Sequence, residues 1–412
     1  MFRPIDAYRV HLIQAALASL ASATIFTTWM IYQIEVIGLN PLQLVLLGTA
    51  LEVAIMVFEI PTGIVADLYS RRISVIIGFG IIGIAFLLIG LFPVFELALL
   101  GSALWGIGYT FTSGAYDAWL VDEVGQARTG QAFLRGSQIS MSVSVVGIIL
   151  SVTLGSLHLA LPILIGAGIY LALTVLMVIV MPENGFNPTP QADRNTWQKM
   201  AHTFREGIAV IRTRPTLLSI IGVGIFFGLF SEGWDRLWQA HLLTNIGLPA
   251  IGNFEPIVWF GVIGVIDMFF GVIGTEIVRR RVDLNNPRAM TRVLLILTAV
   301  MVIAMIGYGL SVTFMIAISM YFTFVLARTL IGPILGTWTN ANIDSNVRAT
   351  VLSMQSQTDA IGQAVGGPPI GLVGNQSLRG AILMSALILS PALGLLARVY
   401  RRVPTQVETN ET

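Results

Sequence analysis

The 412-residue chain contains no cysteine, which excludes disulfides, thiolate metal sites and thiol nucleophiles at once. Charge is nearly as scarce: Asp, Glu, Lys and Arg together are 11% of the residues, against about a quarter in a soluble domain. The four histidines, His11, His158, His202 and His241, show no ligand spacing, so no metal centre is expected. No Walker lysine motif is present, which argues against ATP as a direct energy source. Gly78-Phe-Gly80-Ile-Ile-Gly83 has the spacing of a dinucleotide fingerprint, yet it lies inside an apolar run instead of between a strand and a helix. Neither a nucleotide nor another cofactor is therefore expected. These small residues, like Gly332-x-x-x-Gly336 and Gly362-x-x-x-Gly366, suit close helix packing instead.

What fills the chain is apolar: 55% of residues are hydrophobic and the mean hydropathy is +0.81. Charge-poor runs of about twenty residues recur along the whole length, each long enough to cross a bilayer as a helix. A membrane barrel would instead show short alternating segments. About twelve runs are read, near 8–36, 43–66, 73–92, 95–121, 131–154, 158–181, 216–243, 254–278, 290–310, 313–340, 347–374 and 378–400. The first continues past the signal-peptidase-like Ala21-Ser-Ala23 to Leu39, and an uncleaved span is expected. The expected fold is an all-α polytopic membrane protein with twelve transmembrane helices.

Of the 23 Lys and Arg, all but Arg236, Arg328 and Arg379 fall at the termini, in even-numbered turns or in the central connection. By the positive-inside rule both termini are expected in the cytoplasm. The basic clusters sit at span ends, where topology already explains them, so nucleic acid is not an expected partner.

A long polar connection, 182–215, separates an N-terminal half (1–181) from a C-terminal half (216–412). Within it Trp197, Met200, Phe204, Ile208 and Ile211 recur at helical spacing beside Lys199, Arg205 and Arg212, the pattern of an amphipathic helix on the membrane surface. The halves echo each other. Trp29-x-x-Tyr32-Gln33 followed by Gly38-Leu39-x-Pro41 has its counterpart in Trp234-x-x-x-Trp238-Gln239 followed by Gly247-Leu248-Pro249. Trp119…Asp122…Arg128-Thr129 is matched by Trp338…Asp344…Arg348-Ala-Thr350. Two pseudo-symmetric six-helix halves are expected, an architecture that binds substrate near the midplane between repeats.

Between the second and third runs, Gly63-Ile-Val-Ala-Asp67-Leu-Tyr-Ser-Arg71-Arg72 places a helix-end glycine, a carboxylate and paired arginines in one short turn. This turn resembles the signature loop of the major facilitator superfamily, and the span count, central bridge and repeat resemble that family over essentially the whole chain. Asp67 is suited to meet the positive N-terminus of the eleventh span near 347–353. Arg71 can pair with Asp122 or Glu123. Gly63, Asp67, Arg71, Arg72, Asp122 and Glu123 are thus the expected gate. The equivalent turn of the second half, Gly274-Thr-Glu276-Ile-Val-Arg279-Arg280-Arg281, lacks the aligned aspartate, so an asymmetric latch is expected.

Glu59-Ile-Pro61-Thr62-Gly63, Tyr116-Asp117-Ala-Trp119-Leu-Val-Asp122-Glu123 and Glu232-Gly-Trp234-Asp235-Arg236-Leu-Trp238 are similar to segments of bacterial multidrug, macrolide and tetracycline exporters of this superfamily. Two departures stand against proton antiport. Ser102 occupies the place on span 4 where many members carry arginine, and Gly147–Gly155 lacks the Gly-Pro signature of many drug antiporters. The resemblance implies a transporter, not an enzyme, in a bacterial or archaeal cytoplasmic membrane. It implies efflux of small lipophilic or amphiphilic compounds by alternating access, powered by a proton gradient. A metabolite importer or facilitator, or a carrier of lipid-like molecules, shares the same signature. A small lipophilic substrate and the bilayer are the expected partners, and a monomer is the expected state.

Ionisable residues inside spans are costly and mark functional candidates. Glu52, Glu59, Asp117, Asp235, Asp267 and Asp359 are candidates for proton coupling, Glu52 and Asp117 first because no cation shares their span. Arg236 is expected to pair with Glu232 or Asp235, and Arg328 with Asp359 or Asp267. In the family fold, spans 1, 4, 7 and 10 line the cavity. That assigns Trp29, Tyr32, Gln33, Tyr109, Thr112, Tyr116, Phe227, Phe230, Glu232, Trp234, Tyr321 and Phe324 to its walls, an aromatic surface suited to a bulky lipophilic or cationic substrate.

Overall fold

A computed structural model describes residues 6–188, 205, 215–250, 255–283, 286–341, 343 and 348–402. Among them there is helix and no strand. The chain divides into two compact units, Met1–Arg194 with Ala250–Val265, and Asn195–Pro249 with Ile266–Thr412.

The first unit contains α1 (Ala7–Ile31), α2 (Pro41–Leu68), α3 (Arg71–Leu91), α4 (Phe95–Thr112), α5 (Ala115–Val124), α6 (Gln126–Gly155) and α7 (Leu161–Val180). After the bridge come α8 (Pro215–His241), α9 (Pro256–Arg281), α10 (Pro287–Leu310), α11 (Phe314–Ala341), α12 (Arg348–Gln376), α13 (Leu378–Leu389) and α14 (Pro391–Arg402). Local chemistry sets several starts. Asn40 and Gln43 form a reciprocal capping box ahead of Pro41 at the head of α2, satisfying amides that the helix itself leaves bare. Ser70, Asn286 and Ser377 cap α3, α10 and α13 by accepting from first-turn amides, without the reciprocal bond.

Among the described residues ten helices are long and apolar enough to cross a membrane. Two expected spans take other forms. The run at 95–121 is broken into α4 and α5 at Ser113–Gly114, where Gly114 adopts φ +70°, a backbone region that side chains resist. The run at 347–374 is realised as α12, a continuous helix carrying Pro368 and Pro369 inside it. The amphipathic stretch expected around Trp197–Ile211 lies outside the described residues apart from Arg205.

Both units are closed by small residues at helix crossings. In the first, α1 packs on α6 and α7, and α3 on α4 and α7; a Cβ on Gly166 would lie 2.4 Å from Ile25 of α1. In the second, α8 packs on α12 and α13, and a Cβ on Gly366 would lie 2.1 Å from the Leu229 carbonyl oxygen. Gly362 is also tightly packed, whereas Gly332 and Gly336 have nothing within 4 Å and play no such part.

The repeat is visible in the backbone. α1 and α8 each end in a five-residue π turn, Tyr32–Val36 and Leu242–Ile246. Each turn is followed by a positive-φ glycine, Gly38 at +75° and Gly247 at +81°. Trp119 and Trp338, matched in the sequence echo, are both fully buried.

Candidate functional site

The signature turn is built from the ends of α2 and α3. α2 continues through Gly63 to Leu68, so Gly63 lies inside the helix and is not its end as expected. Ile64-Val-Ala supplies helix-compatible residues with nothing to stop the turn. Asp67 is exposed. Arg71 donates to the Asp122 carboxylate and, at 3.1 Å, to the Ala118 carbonyl of α5, while Asp67 lies farther off at 3.9 Å. Of the two partners expected for Arg71, the structure thus selects Asp122. Glu123 turns to the bridge, where its Oε1 accepts from the amides of Asn184 and Gly185.

Glu183, which no sequence pattern marks, ties the same corner together. Its carboxylate accepts from the Ser70 hydroxyl at 2.6 Å and the Arg72 amide at 2.9 Å, a negative charge where the α3 dipole is positive. The Arg72 guanidinium donates to the Val178 carbonyl at 2.6 Å, and Trp119 Nε1 donates to the Pro182 carbonyl at 2.6 Å. The Phe186 ring lies 5.8 Å from the Arg71 guanidinium. The turn, the end of α5 and the first residues of the bridge form one hydrogen-bonded assembly.

Other first-unit residues lie apart from this corner. Trp29, Tyr32 and Gln33 are buried: Trp29 packs edge-on against Phe26 and Phe86, and the Tyr32 hydroxyl donates to the Ile89 carbonyl at 2.8 Å. They fill the unit instead of standing exposed along a wall. Tyr116 is hydrogen-bonded to His11 Nδ1 at 2.8 Å and rests near Trp119. Thr112 sits against Gly78 of α3. Tyr109 and Asp117 are exposed, as is Glu59 on α2, and Glu52 is half-buried.

In the second unit the ionisable residues lie within the helices. Glu232, 3% exposed, accepts from Arg236 Nε at 2.7 Å one turn along α8. Arg328 of α11 grips Asp235 with both guanidinium nitrogens, 2.5 and 2.9 Å. The expectation that Arg328 pairs with Asp359 or Asp267 is corrected by this contact. The reason is the ring packing between α8 and α11: Trp234 on Phe324 and Trp238 on Tyr321, each with centroids 4.1 Å apart. These ring contacts set α8 and α11 side by side, and the long Arg328 side chain, one turn from Phe324, reaches Asp235, the residue after Trp234. Asp359 instead accepts from Gln363 at 2.9 Å and remains within the electrostatic reach of Arg328. Asp267 accepts from the Tyr321 hydroxyl at 2.7 Å. The guanidinium of Arg328 also lies 6.0 Å from the Phe230 ring and 5.8 Å from that of Phe324.

Phe230, Trp234 and Phe324 are almost completely buried against one another, and Tyr321 is 5% exposed. The aromatic residues expected to form a free wall are largely spent on packing, leaving Phe227 half-buried. The side chains of Asp235 and Arg328 remain about two-fifths exposed, at 41% and 39%. Among the described residues no group of three or more His, Asp or Glu is placed to hold a metal ion.

Residues 12–367 match the sequence profile of the Major Facilitator Superfamily, and the chain belongs to that family of multi-pass membrane transporters. It has the all-α fold of the family. Over 409 residues it is 25% identical to an uncharacterised MFS-type transporter, YxaM, of Bacillus subtilis (strain 168), covering 95% of this chain and 94% of that one. Among solved structures, a mutant form of the nucleoside transporter NupG superposes with a TM-score of 0.78 at 14% identity, covering 97% of this chain and 100% of NupG. A bacterial homologue of the human lysosomal transporter Spinster, inward-facing and occupied, superposes with a TM-score of 0.73 at 14% identity, covering 96% of each chain.

Proposed function

We propose that the protein exports small lipophilic or amphiphilic compounds, drugs among them, by alternating access in exchange for protons. The observation that carries this reading is the set of ionisable side chains held inside the helices of the second unit. Charges in such positions are expensive in a bilayer and mark ion or substrate paths. Asp235, Asp267, Asp359 and Glu232 outnumber Arg236 and Arg328 there, which favours protons and organic cations over anions. Tyr109, Tyr116 and Phe227 offer accessible ring surface. Gly63, Asp67, Arg71, Arg72, Asp122 and Glu123 serve as the gate in this reading, with Arg71 on Asp122 as its fixed member. The resemblance to bacterial exporters supports a cytoplasmic membrane of a bacterium or archaeon, and the distribution of Lys and Arg supports both termini inside.

A second reading is an importer or facilitator of a polar metabolite. The burial of Phe230, Trp234 and Phe324 favours it, because the exposed feature beside them is the Asp235–Arg328 ion pair. The like-folded nucleoside transporter fits that alternative.

Purified protein in liposomes separates the two. Under an imposed pH gradient, ethidium is expected to accumulate against its own gradient and to equilibrate when the pH gradient is collapsed. Ethidium movement indifferent to pH, together with gradient-free equilibration of uridine, would replace the export reading with the facilitator.

A further inference from the structure

We infer that Asp267 is the group that carries the coupling proton, with the Tyr321 hydroxyl as its hydrogen-bond partner; the assignment rests on the proton-coupled reading above. One carboxylate oxygen of Asp267 accepts from Tyr321 at 2.7 Å. The other is buried and has no hydrogen-bond partner. An ionised carboxylate inside a helix bundle needs a cation or several donors to offset its desolvation. None is at hand among the described residues. Arg328 of α11 is engaged by both oxygens of Asp235, and Arg236 of α8 donates to Glu232. From α10, Tyr308 directs its hydroxyl to the Trp238 carbonyl at 2.6 Å. α11 also contributes Tyr321 itself. The pocket therefore fits the neutral acid and stores a proton.

The other acids of this unit differ. Glu232 and Asp235 each hold an arginine, and Asp359 has Gln363 together with the field of Arg328. A metal cation is a poor alternative occupant: a carboxylate and one phenol fall well short of the six or more oxygens that hard cations such as calcium gather.

The geometry also connects this proton to the exposed pair. The Tyr321 hydroxyl donates to Asp267, and its ring is stacked on Trp238, three residues along α8 from Asp235. Release of the proton from Asp267 places a negative charge beside Tyr321, which shifts the balance of the Asp235–Arg328 pair. Proton occupancy and the substrate-accessible ion pair are thereby linked through one tyrosine on α11.

Infrared titration of the purified protein in lipid tests the assignment without a known substrate. The wild type is expected to show the carbonyl-stretch band of a protonated carboxylic acid that disappears as the pH is raised. Asp267→Asn removes that band, Tyr321→Phe shifts its frequency and midpoint while keeping the ring stack, and Asp117→Asn and Glu52→Gln leave it. In liposomes, Asp267→Asn is expected to keep ethidium exchange but to lose pH-driven accumulation down to the level of protein-free vesicles. Retention of the band in Asp267→Asn, or undiminished pH-driven accumulation by that variant, overturns the assignment. A wild type that moves ethidium but ignores the gradient overturns the proton-coupled reading, and the assignment of a coupling role with it. A sodium gradient driving ethidium in place of the pH gradient has the same consequence.

Discussion

The two units share a repeat and put their charges in different places. In the first, a cluster of ion pairs and carboxylate hydrogen bonds sits at one corner, where Arg71, Arg72, Asp122, Glu123 and Glu183 join the α2–α3 turn to α5 and the bridge. Its interior is held by neutral hydrogen bonds, such as Thr28 with Ser151 and Ser22 with Tyr170, each at 2.6 Å. In the second unit the corresponding turn carries ion pairs within one helix, α9. Glu276 binds Arg279 and Arg280 of its own helix, with Arg279 at 2.6 Å, and the Asp235–Arg328 pair that crosses between helices lies within the spans. The units share a π turn and a positive-φ glycine after their first helices, yet they place their charges differently: an ionic fastening at one corner, an ionic interior in the other unit.

The ionic interior is where disruption costs most. The Glu232 and Arg236 side chains are only 4% and 14% exposed, so removing one partner leaves an uncompensated charge. Arg236→Leu is expected to destabilise the protein by about 3–5 kcal/mol. Adding Glu232→Gln should recover most of that loss, because an amide needs no counter-charge. Thermal unfolding in one detergent, with both variants and the double variant, checks the pattern. A double variant as unstable as Arg236→Leu alone would mean that the pair matters for packing and not for charge.

A smaller effect is expected at the α8–α12 crossing. Gly366→Ala places a methyl group against the Leu229 carbonyl and should cost about 1–3 kcal/mol by forcing the helices apart. Gly332→Ala and Gly336→Ala are the controls, since each Cβ enters open space and alanine favours helix. The same melting assay distinguishes them, and equal losses at all three positions would remove the close-approach argument.

These cases show what was legible in the sequence. The spans were, because crossing a bilayer demands long apolar runs that leave little room for ambiguity. The start of α2 was chemically determined by Asn40, Pro41 and Gln43. The break at Gly114 was hidden, because glycine is common inside membrane helices and its dihedral angles are not written in its neighbours. The partner of Arg328 was hidden for another reason. It depends on how α8 and α11 are rotated, which the packing of Trp234 against Phe324 and of Trp238 on Tyr321 decides and no spacing along one helix records. The aromatics expected along a cavity were chosen by span, yet span membership does not say which face of a helix is turned inward. Trp29 and Phe230 are accordingly buried, whereas Tyr109 is exposed.

Glu183 gives the mildest and most local way to sharpen the contrast between the units. It contributes to the first-unit corner from the bridge, with one oxygen on the Ser70 hydroxyl and the other on the Arg72 amide, so it acts as an added cap on α3. Glu183→Gln retains the shape of the side chain and an acceptor oxygen but removes the charge that opposes the helix dipole. The expected loss is about 1 kcal/mol, the usual worth of a helix cap. Hydrogen exchange should therefore quicken at the first amides of α3, residues 71–74, and stay unchanged at the head of α10, where Asn286 provides the cap within its own turn. Because Arg71 is held by Asp122 and not by Glu183, that ion pair should survive the substitution. If exchange in α3 is unaltered, Ser70 alone caps the helix. If protection instead collapses across α5 as well, the bridge is a structural member of the corner, and the first unit's fastening extends into the segment that connects it to the second.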